Sequence, residues 1–334
     1  MRNKKIAVVG AGFAGMATAW HLSKDYEITI FSSPNEIQSA STVSAGLLHP
    51  YGGAKAKNNW RGKEGVQSTL KLLRVASEMI GQKVYDDSGI IRIPSNPEQE
   101  EYFKNCAEIN SDVRWLSKHQ CQDMVPGVVH KPAIFIESGI TVYPARYIEG
   151  LILALESRGV TFVTSTISSV ENIKGYDYTI FCIGAGVFQL NSLPELKLRP
   201  LKGQILQLPW PEDIEPLPYS LNSKIYMVMS EDKKSCYVGS TFERNFETED
   251  VDLDTACTYI LPKLYSLYPL LEGMKPIDCK SGIRVATPNH LPLVQQINEK
   301  VWIFTGLGSK GLLYHSLIAE SIREEIAKIG MCNR

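Results

Sequence analysis

The chain has almost no net charge: 35 Lys and Arg stand against 36 Asp and Glu, a formal −1 at pH 7. That balance excludes a global attraction for nucleic acid or an anionic membrane, so any such affinity has to come from a local patch. No run approaches the roughly 18 uninterrupted apolar residues of a membrane helix. The seven cysteines are odd in number and scattered, with no C-x-x-C pair. They argue against a disulfide framework and predict thiols in a reducing compartment. Repeats, low-complexity tracts, metal-ligand spacings, a Ser–His–Asp order and a Walker lysine are all missing, which removes solenoid, metal, serine-hydrolase and P-loop readings. A strand begins within the first few residues and leaves no room for a targeting segment, so the expected location is cytoplasmic.

What is present is enough apolar material for a core. Over 334 residues, 44% are hydrophobic, which excludes a mainly disordered chain and predicts two domains. Lys4-Lys5 leads into Ile6-Ala7-Val8-Val9, a fully apolar run that reads as a buried parallel strand. Gly10-Ala11-Gly12-Phe13-Ala14-Gly15 follows, a G-x-G-x-x-G. Phe13, Met16, Ala17, Trp20 and His21 then recur at helical spacing, and Ile28-Thr29-Ile30-Phe31 reads as a second strand. Strand, glycine turn, helix and strand within about 30 residues form the dinucleotide-binding unit. Gly10 allows the tight turn, Gly12 lets a pyrophosphate approach the backbone, and Gly15 lets the helix pack close. The helix N-terminus supplies N–H groups and partial positive charge.

The carboxylate that usually ends the second strand and holds the ribose is absent. Ser32 stands there, with Glu36 the nearest acid in the following loop. This departure weakens the case for NAD and suits FAD, which is gripped along its whole length.

Further on, helical periodicity runs from about Gly65 to Ile80, and Gly89-Ile90-Ile91-Arg92-Ile93-Pro94 reads as a strand. Residues 96–125 read as polar helix and turn. Ile134-Phe135-Ile136 and Ile140-Thr141-Val142 read as short strands around the Ser138-Gly139 turn. An amphipathic helix opens at Tyr143-Pro144 and stops at Gly159. A strand from Tyr176 ends in a second glycine turn at Gly184 and Gly186, which fits a long dinucleotide. Between 196 and 280, apolar pairs two residues apart (Leu206 and Leu208, Tyr226 and Val228, Cys236 and Val238) predict an antiparallel sheet. A third strand-then-glycine segment, Ile303 to Gly311, precedes the last helix. The predicted fold is therefore α/β, a Rossmann-like FAD-binding domain from residues 1–80, 140–195 and 281–334. An antiparallel substrate domain from residues 81–139 and 196–280 is interleaved with it.

Several segments together resemble the D-amino acid oxidase/glycine oxidase family of FAD-dependent oxidoreductases. They are Ala40-Ser41 with Ala45-Gly46-Leu47, then Leu201-Lys202-Gly203-Gln204, Tyr237-Val238-Gly239-Ser240-Thr241, Ser281-Gly282-Ile283-Arg284 and Leu291-Pro292-Leu293-Val294. The resemblance covers nearly the whole chain. Within the family it is strongest toward the FAD-dependent domain of bifunctional enzymes that modify wobble uridine in tRNA. It rests there on the run from Ser281 to Val294 and on Gly306-Leu307-Gly308-Ser309-Lys310-Gly311-Leu312. The methyltransferase domain of those enzymes has no counterpart in this sequence.

The resemblance implies FAD as cofactor and oxidation of a C–N bond, with hydride transfer to flavin N5 and hydrolysis of the imine. The substrate is then either the carboxymethylaminomethyl group of modified tRNA or a free amine or amino acid such as glycine, sarcosine or a D-amino acid. A flavin-binding protein without turnover is the third alternative. Arg284 matches the family arginine that binds the substrate carboxylate, for which a planar guanidinium is suited; a structural ion pair is its alternative role. Tyr226 matches a tyrosine beside the substrate, or is a core aromatic. His49 follows the Ala45-Gly46 turn and either lines the flavin, carries a proton or is structural. Ser41, Ala45, Gly46, Leu47 and Gly184 are expected near the cofactor. Gly308, Ser309, Lys310 and Gly311 are expected at the flavin's pyrimidine edge, with Lys310 stabilising reduced-flavin charge. Lys55, Lys57, Arg61 and Lys63 with Trp60 form the clearest basic cluster, the place for tRNA phosphates and a stacked base.

Overall fold

The computed structural model describes residues 4–33, 39–191 and 193–332. Two large sheets organise it. The first has six strands in the order Thr161–Thr164, Glu27–Ser32, Lys5–Val9, Tyr178–Phe181, Val301–Thr305 and Leu293–Gln296. The first five are parallel and the last is antiparallel. These strands are apolar because helices cover them: Ile6, Val8, Ile28, Ile30, Ile180 and Phe304 are all sealed from solvent.

Four helices, Phe13–Leu22, Gly62–Ile80, Pro144–Ser157 and Gly311–Cys332, pack on one another beside this sheet. Small residues set their spacing. A Cβ at Gly150 would meet the carbonyl of Ala76 at 2.5 Å, and one at Gly65 the carbonyl of Leu313 at 2.3 Å. Thr69 donates to the Leu312 carbonyl at 2.6 Å, and Tyr147 and His315 share a buried hydrogen bond of 2.7 Å. Polar groups inside the bundle are thus paired, as burial demands.

The second sheet has eight strands in the order Asp278–Ala286, Arg199–Pro209, Ser235–Gly239, Tyr226–Met229, Ser220–Asn222, Ile90–Arg92, Ala133–Ile136 and Val113–Leu116. All neighbours are antiparallel except the parallel pair Ser220–Asn222 and Ile90–Arg92. Its covered face holds a separate core with Ile91, Leu206, Leu221, Met227 and Val238, closed by the helix Leu253–Leu267. A three-stranded sheet of Leu47–Leu48, Ile140–Val142 and Tyr85–Asp86 stands between the two.

Several elements depart from the sequence expectations. The strand Asp278–Ala286 runs through residue 281, the expected domain boundary, and pairs along Arg199–Pro209 in the antiparallel sheet. The strands on either side of Ser138-Gly139 do not stay together: Ala133–Ile136 joins the eight-stranded sheet and Ile140–Val142 the three-stranded one. The segment 96–125 contains a strand, Val113–Leu116, between two helices. The helix Leu253–Leu267 lies in a region that reads as pure sheet. It forms despite the internal Pro262 because Ala256, Ile260, Leu264 and Leu267 make one buried stripe.

Among the described residues no helix is long and apolar enough to cross a membrane. No group of three metal-ligating side chains is found among them either.

Candidate functional site

One cavity of about 740 Å³ runs from the end of the parallel sheet to the open face of the antiparallel one. At its first end stand Val9, Gly10, Gly12, Phe13 and Ala14 with Phe31, Ser33 and Thr166. The turn needs its glycines. Gly10 has φ +104°, and a Cβ there would sit 2.4 Å from the carbonyl of Cys182. A Cβ at Gly15 would sit 1.8 Å from the carbonyl of Gly10, so this glycine serves packing and does not line the cavity.

The helix Phe13–Leu22 has no side-chain cap and no acid in its first turn. One of its free N–H groups, that of Phe13, donates to Ser41 Oγ at 3.1 Å. The remaining donors and the open space at Gly184, where a Cβ would meet nothing within 4 Å, leave room for an anion. Ser41, Ala45, Gly46 and Leu47 all line the cavity. Ser32 and Ala11 do not; strand alternation turns Phe31 and Ser33 toward it and Ser32 away. Glu36, the nearby acid expected at the ribose, lies outside the described residues.

At the second end, Gly308, Ser309, Lys310 and Gly311 open the last helix onto the cavity. Lys310 donates to the His290 carbonyl at 3.3 Å, and burial lowers its pKa. Thr305 also lines this end, and His49 lines the cavity near Arg92; each has a sealed atom, Oγ1 and Nδ1, without a hydrogen-bond partner in the protein. Burial, with Arg92 nearby, depresses the His49 pKa to about 3, so the imidazole is neutral at pH 7. Orphaned polar atoms beside a glycine turn and a helix start are what a long, polar, ring-bearing cofactor would satisfy. The residues present therefore fit a flavin dinucleotide.

The antiparallel sheet supplies the facing wall. Arg284 lies across Gly203: a Cβ at Gly203 would sit 1.8 Å from Arg284 Nη2. Nη2 donates to Ser240 Oγ at 3.3 Å and to the Thr241 carbonyl at 3.1 Å. Glu243 acts on Arg284 through space but forms no ion pair with it, and burial lowers the guanidinium pKa. The side chain thus presents a charge to the cavity with which no carboxylate among the described residues forms a direct ion pair.

Tyr226 packs its hydroxyl against Gly239, where a Cβ would approach it to 2.8 Å. Burial pushes its pKa up to about 12, against the opposing pull of Arg284 and a hydrogen bond with Ser240. It remains a protonated donor at any ordinary pH.

Arg92, Asn222 and Ser240 line the same wall, and the sequence reading assigned them nothing. The available signal for Arg92 was a cation inside the apolar run Ile90-Ile91-Arg92-Ile93. Asn222 and Ser240 gave none, since only strand register brings them here.

The basic loop is less free than its sequence suggests. Arg61 is paired with Glu64 at 2.6 Å and Lys63 with Asp112 at 3.7 Å. The Lys55 ammonium sits over the Tyr102 ring. Trp60 is half exposed, at 50%.

Comparison with known proteins agrees with this architecture. The family model for FAD dependent oxidoreductases matches residues 5–325. The glycine oxidase of Bacillus licheniformis is 23% identical, the match covering 96% of this chain and 92% of that protein. The tRNA 5-methylaminomethyl-2-thiouridine biosynthesis bifunctional protein MnmC of Hydrogenovibrio crunogenus is also 23% identical, over 90% of this chain but only 48% of its own length. Among solved structures, glycine oxidase from Geobacillus kaustophilus superposes with a TM-score of 0.83 at 20% identity, covering 98% of this chain and 95% of that one.

Proposed function

The chain belongs to the FAD dependent oxidoreductase family, and from that premise we propose that it oxidises the C–N bond of a small free amino acid whose carboxylate is held by Arg284. FAD is its cofactor and amines or amino acids are its substrate class. When bound, FAD supplies the acceptor for the hydride lost from the carbon beside nitrogen, and water hydrolyses the imine that remains.

The protein's part is binding and orientation. Arg284 offers a carboxylate a planar, charge-assisted fork, fixed in place by Ser240 and Thr241. Tyr226, whose strand is separated from that of Arg284 by two others, donates a hydrogen bond and carries no charge. His49, neutral at pH 7, lines the cofactor side and takes no part as an imidazolium. The Gly10–Gly15 turn with Ser41 would hold the pyrophosphate. Gly308, Ser309, Lys310 and Gly311 would hold the flavin edge. In this reading the cofactor domain comes from residues up to 80, 140–195 and beyond Ala286, and the substrate domain from 81–139 and 196–286.

The carrying observation is Arg284, a cation on the cavity wall without a carboxylate partner. The carboxymethylaminomethyl group of wobble uridine presents the same amine and CH2–carboxylate to it. The likeness to MnmC supports that second reading, while the pairing of Arg61 with Glu64 and of Lys63 with Asp112 lowers the free positive charge of the basic loop it needs.

The test is anaerobic reduction of the FAD-loaded protein by glycine, sarcosine, D-alanine and hypomodified tRNA in parallel. Bleaching by the free amino acids is expected. Bleaching by tRNA alone would overturn the free-substrate reading, and bleaching by none would overturn the substrate class.

A further inference from the structure

We propose that the cavity contains a second anion subsite, at Arg92, and that the preferred substrates are amino acids carrying a second acidic group. The inference rests on Arg284 holding the first carboxylate and adds what the far side of the cavity selects.

Arg92 is only 6% exposed and lines the cavity. Its Nη1 donates to the Tyr51 carbonyl at 2.9 Å and its Nη2 to the Gly53 carbonyl at 2.8 Å. Its Nε is sealed and has no partner. The Phe103 ring lies 4.9 Å from the guanidinium carbon. The titratable groups that face it are the Cys106 thiol and the neutral imidazole of His49. No described carboxylate pairs with it. A buried cation is costly without a counter-ion, and two carbonyl contacts do not supply one. A neutral amide could staple the same loop. The charge itself therefore calls for an anion from the cavity.

Strand register puts this charge in line with the substrate wall. Arg92 is the partner of Asn222, Asn222 of Tyr226, and Tyr226 of Gly239. Residues in register on neighbouring strands face the same side, about 4.8 Å apart. Arg92, Asn222 and Tyr226 thus form a row along the cavity wall, with Arg284 beyond Gly239 on the other side of Tyr226. His49, whose Nδ1 is sealed and unpartnered, lines the cavity in the same neighbourhood. Two strand spacings, about 10 Å, separate Tyr226 from Arg92, so a substrate with its amine before Tyr226 and one carboxylate at Arg284 reaches Arg92 with a second acidic group carried past Asn222 on a chain of several methylenes.

The test compares matched pairs on the FAD-loaded protein: D-norvaline with D-2-aminoadipate, and D-norleucine with D-2-aminopimelate. Pentanoate and adipate serve as non-reacting probes, read by perturbation of the flavin spectrum. The dicarboxylates should show at least a tenfold higher kcat/KM, and adipate at least tenfold tighter binding. Both advantages should vanish in Arg92→Gln and shrink in Asn222→Ala with melting temperature unchanged. Because Arg92 also staples the loop at Tyr51 and Gly53, the adipate measurement on the unaltered protein stands without any variant. Equal treatment of the pairs would overturn the second subsite and leave the amino acid reading intact. Reduction by no member of any pair, nor by glycine, sarcosine or D-alanine, would overturn that reading instead. Loss of FAD from Arg92→Gln with an unchanged pair ratio would assign Arg92 to the cofactor and overturn the proposal.

Discussion

The cavity's dinucleotide end and its substrate wall are built by opposite means. The dinucleotide end is mostly backbone: a glycine turn, the bare start of a helix and one serine hydroxyl, with no charged side chain among its core residues. The substrate wall is made of long side chains on a sheet, two guanidinium groups, a phenol and an amide, which stand on four different strands. Backbone grips depend on close approach and fail when a side chain intrudes. Side-chain grips depend on charge and fail when the group is shortened or displaced.

That contrast orders the expected effects. The largest falls on the backbone end: Gly15→Val puts atoms where the Gly10 carbonyl already lies, 1.8 Å from a Cβ. Purified Gly15→Val protein should carry no flavin and melt well below the parent; a yellow protein of normal stability would remove the close-packing argument.

Next comes Arg284→Met, which should leave FAD content intact. It should raise KM for a carboxylate substrate about a hundredfold, the scale of losing charge-assisted hydrogen bonds worth about 1.5–3 kcal/mol. An unchanged KM would take Arg284 out of the site. Gly203→Ala tests the same grip indirectly. Its methyl group would push Arg284 aside, so kcat/KM should fall roughly tenfold, again without loss of flavin. Loss of flavin from Gly203→Ala would erase the distinction between the dinucleotide end and the substrate wall.

A smaller effect concerns pH. Burial depresses His21 and His49 to about 3 and His315 to about 4, from a usual 6.5. With folded values below the unfolded one, the unfolded chain binds more protons once the pH drops under about 6.5. Stability is therefore present above that point and lost as pH falls toward 4. The melting temperature should decline from pH 7 to pH 5, and a flat profile would contradict the burial of these rings. Smallest of all, Tyr226→Phe should leave the pH profile of kcat/KM unchanged between pH 6 and 10, because the phenol titrates only near 12.

The same contrast explains what could be read early. The glycine fingerprint, its strands and its helix are contiguous in the chain, and each follows from local sterics and a single hydrophobic period. Arg284 was found through a resemblance of local motifs. Arg92 and Asn222 were not found, because their meaning lies in a register between strands about 130 residues apart in the sequence. The helix Leu253–Leu267 was hidden for another reason: the apolar pairs two residues apart earlier in its region read as sheet, and only the apolar stripe buried against the sheet decides in its favour.

By itself the sequence determined the family, the cofactor and the alternation of strand and helix around the nucleotide turn, since these depend on neighbours a few residues away. Only the tertiary structure decided which side chains share a wall. It carried the strand at Asp278 past the expected boundary into the antiparallel sheet, laid Arg284 across Gly203, and lined up Arg92 with Tyr226. Such placements come from pairing and close packing across the whole chain, where a glycine at one position makes room for a charge that begins eighty-one residues later.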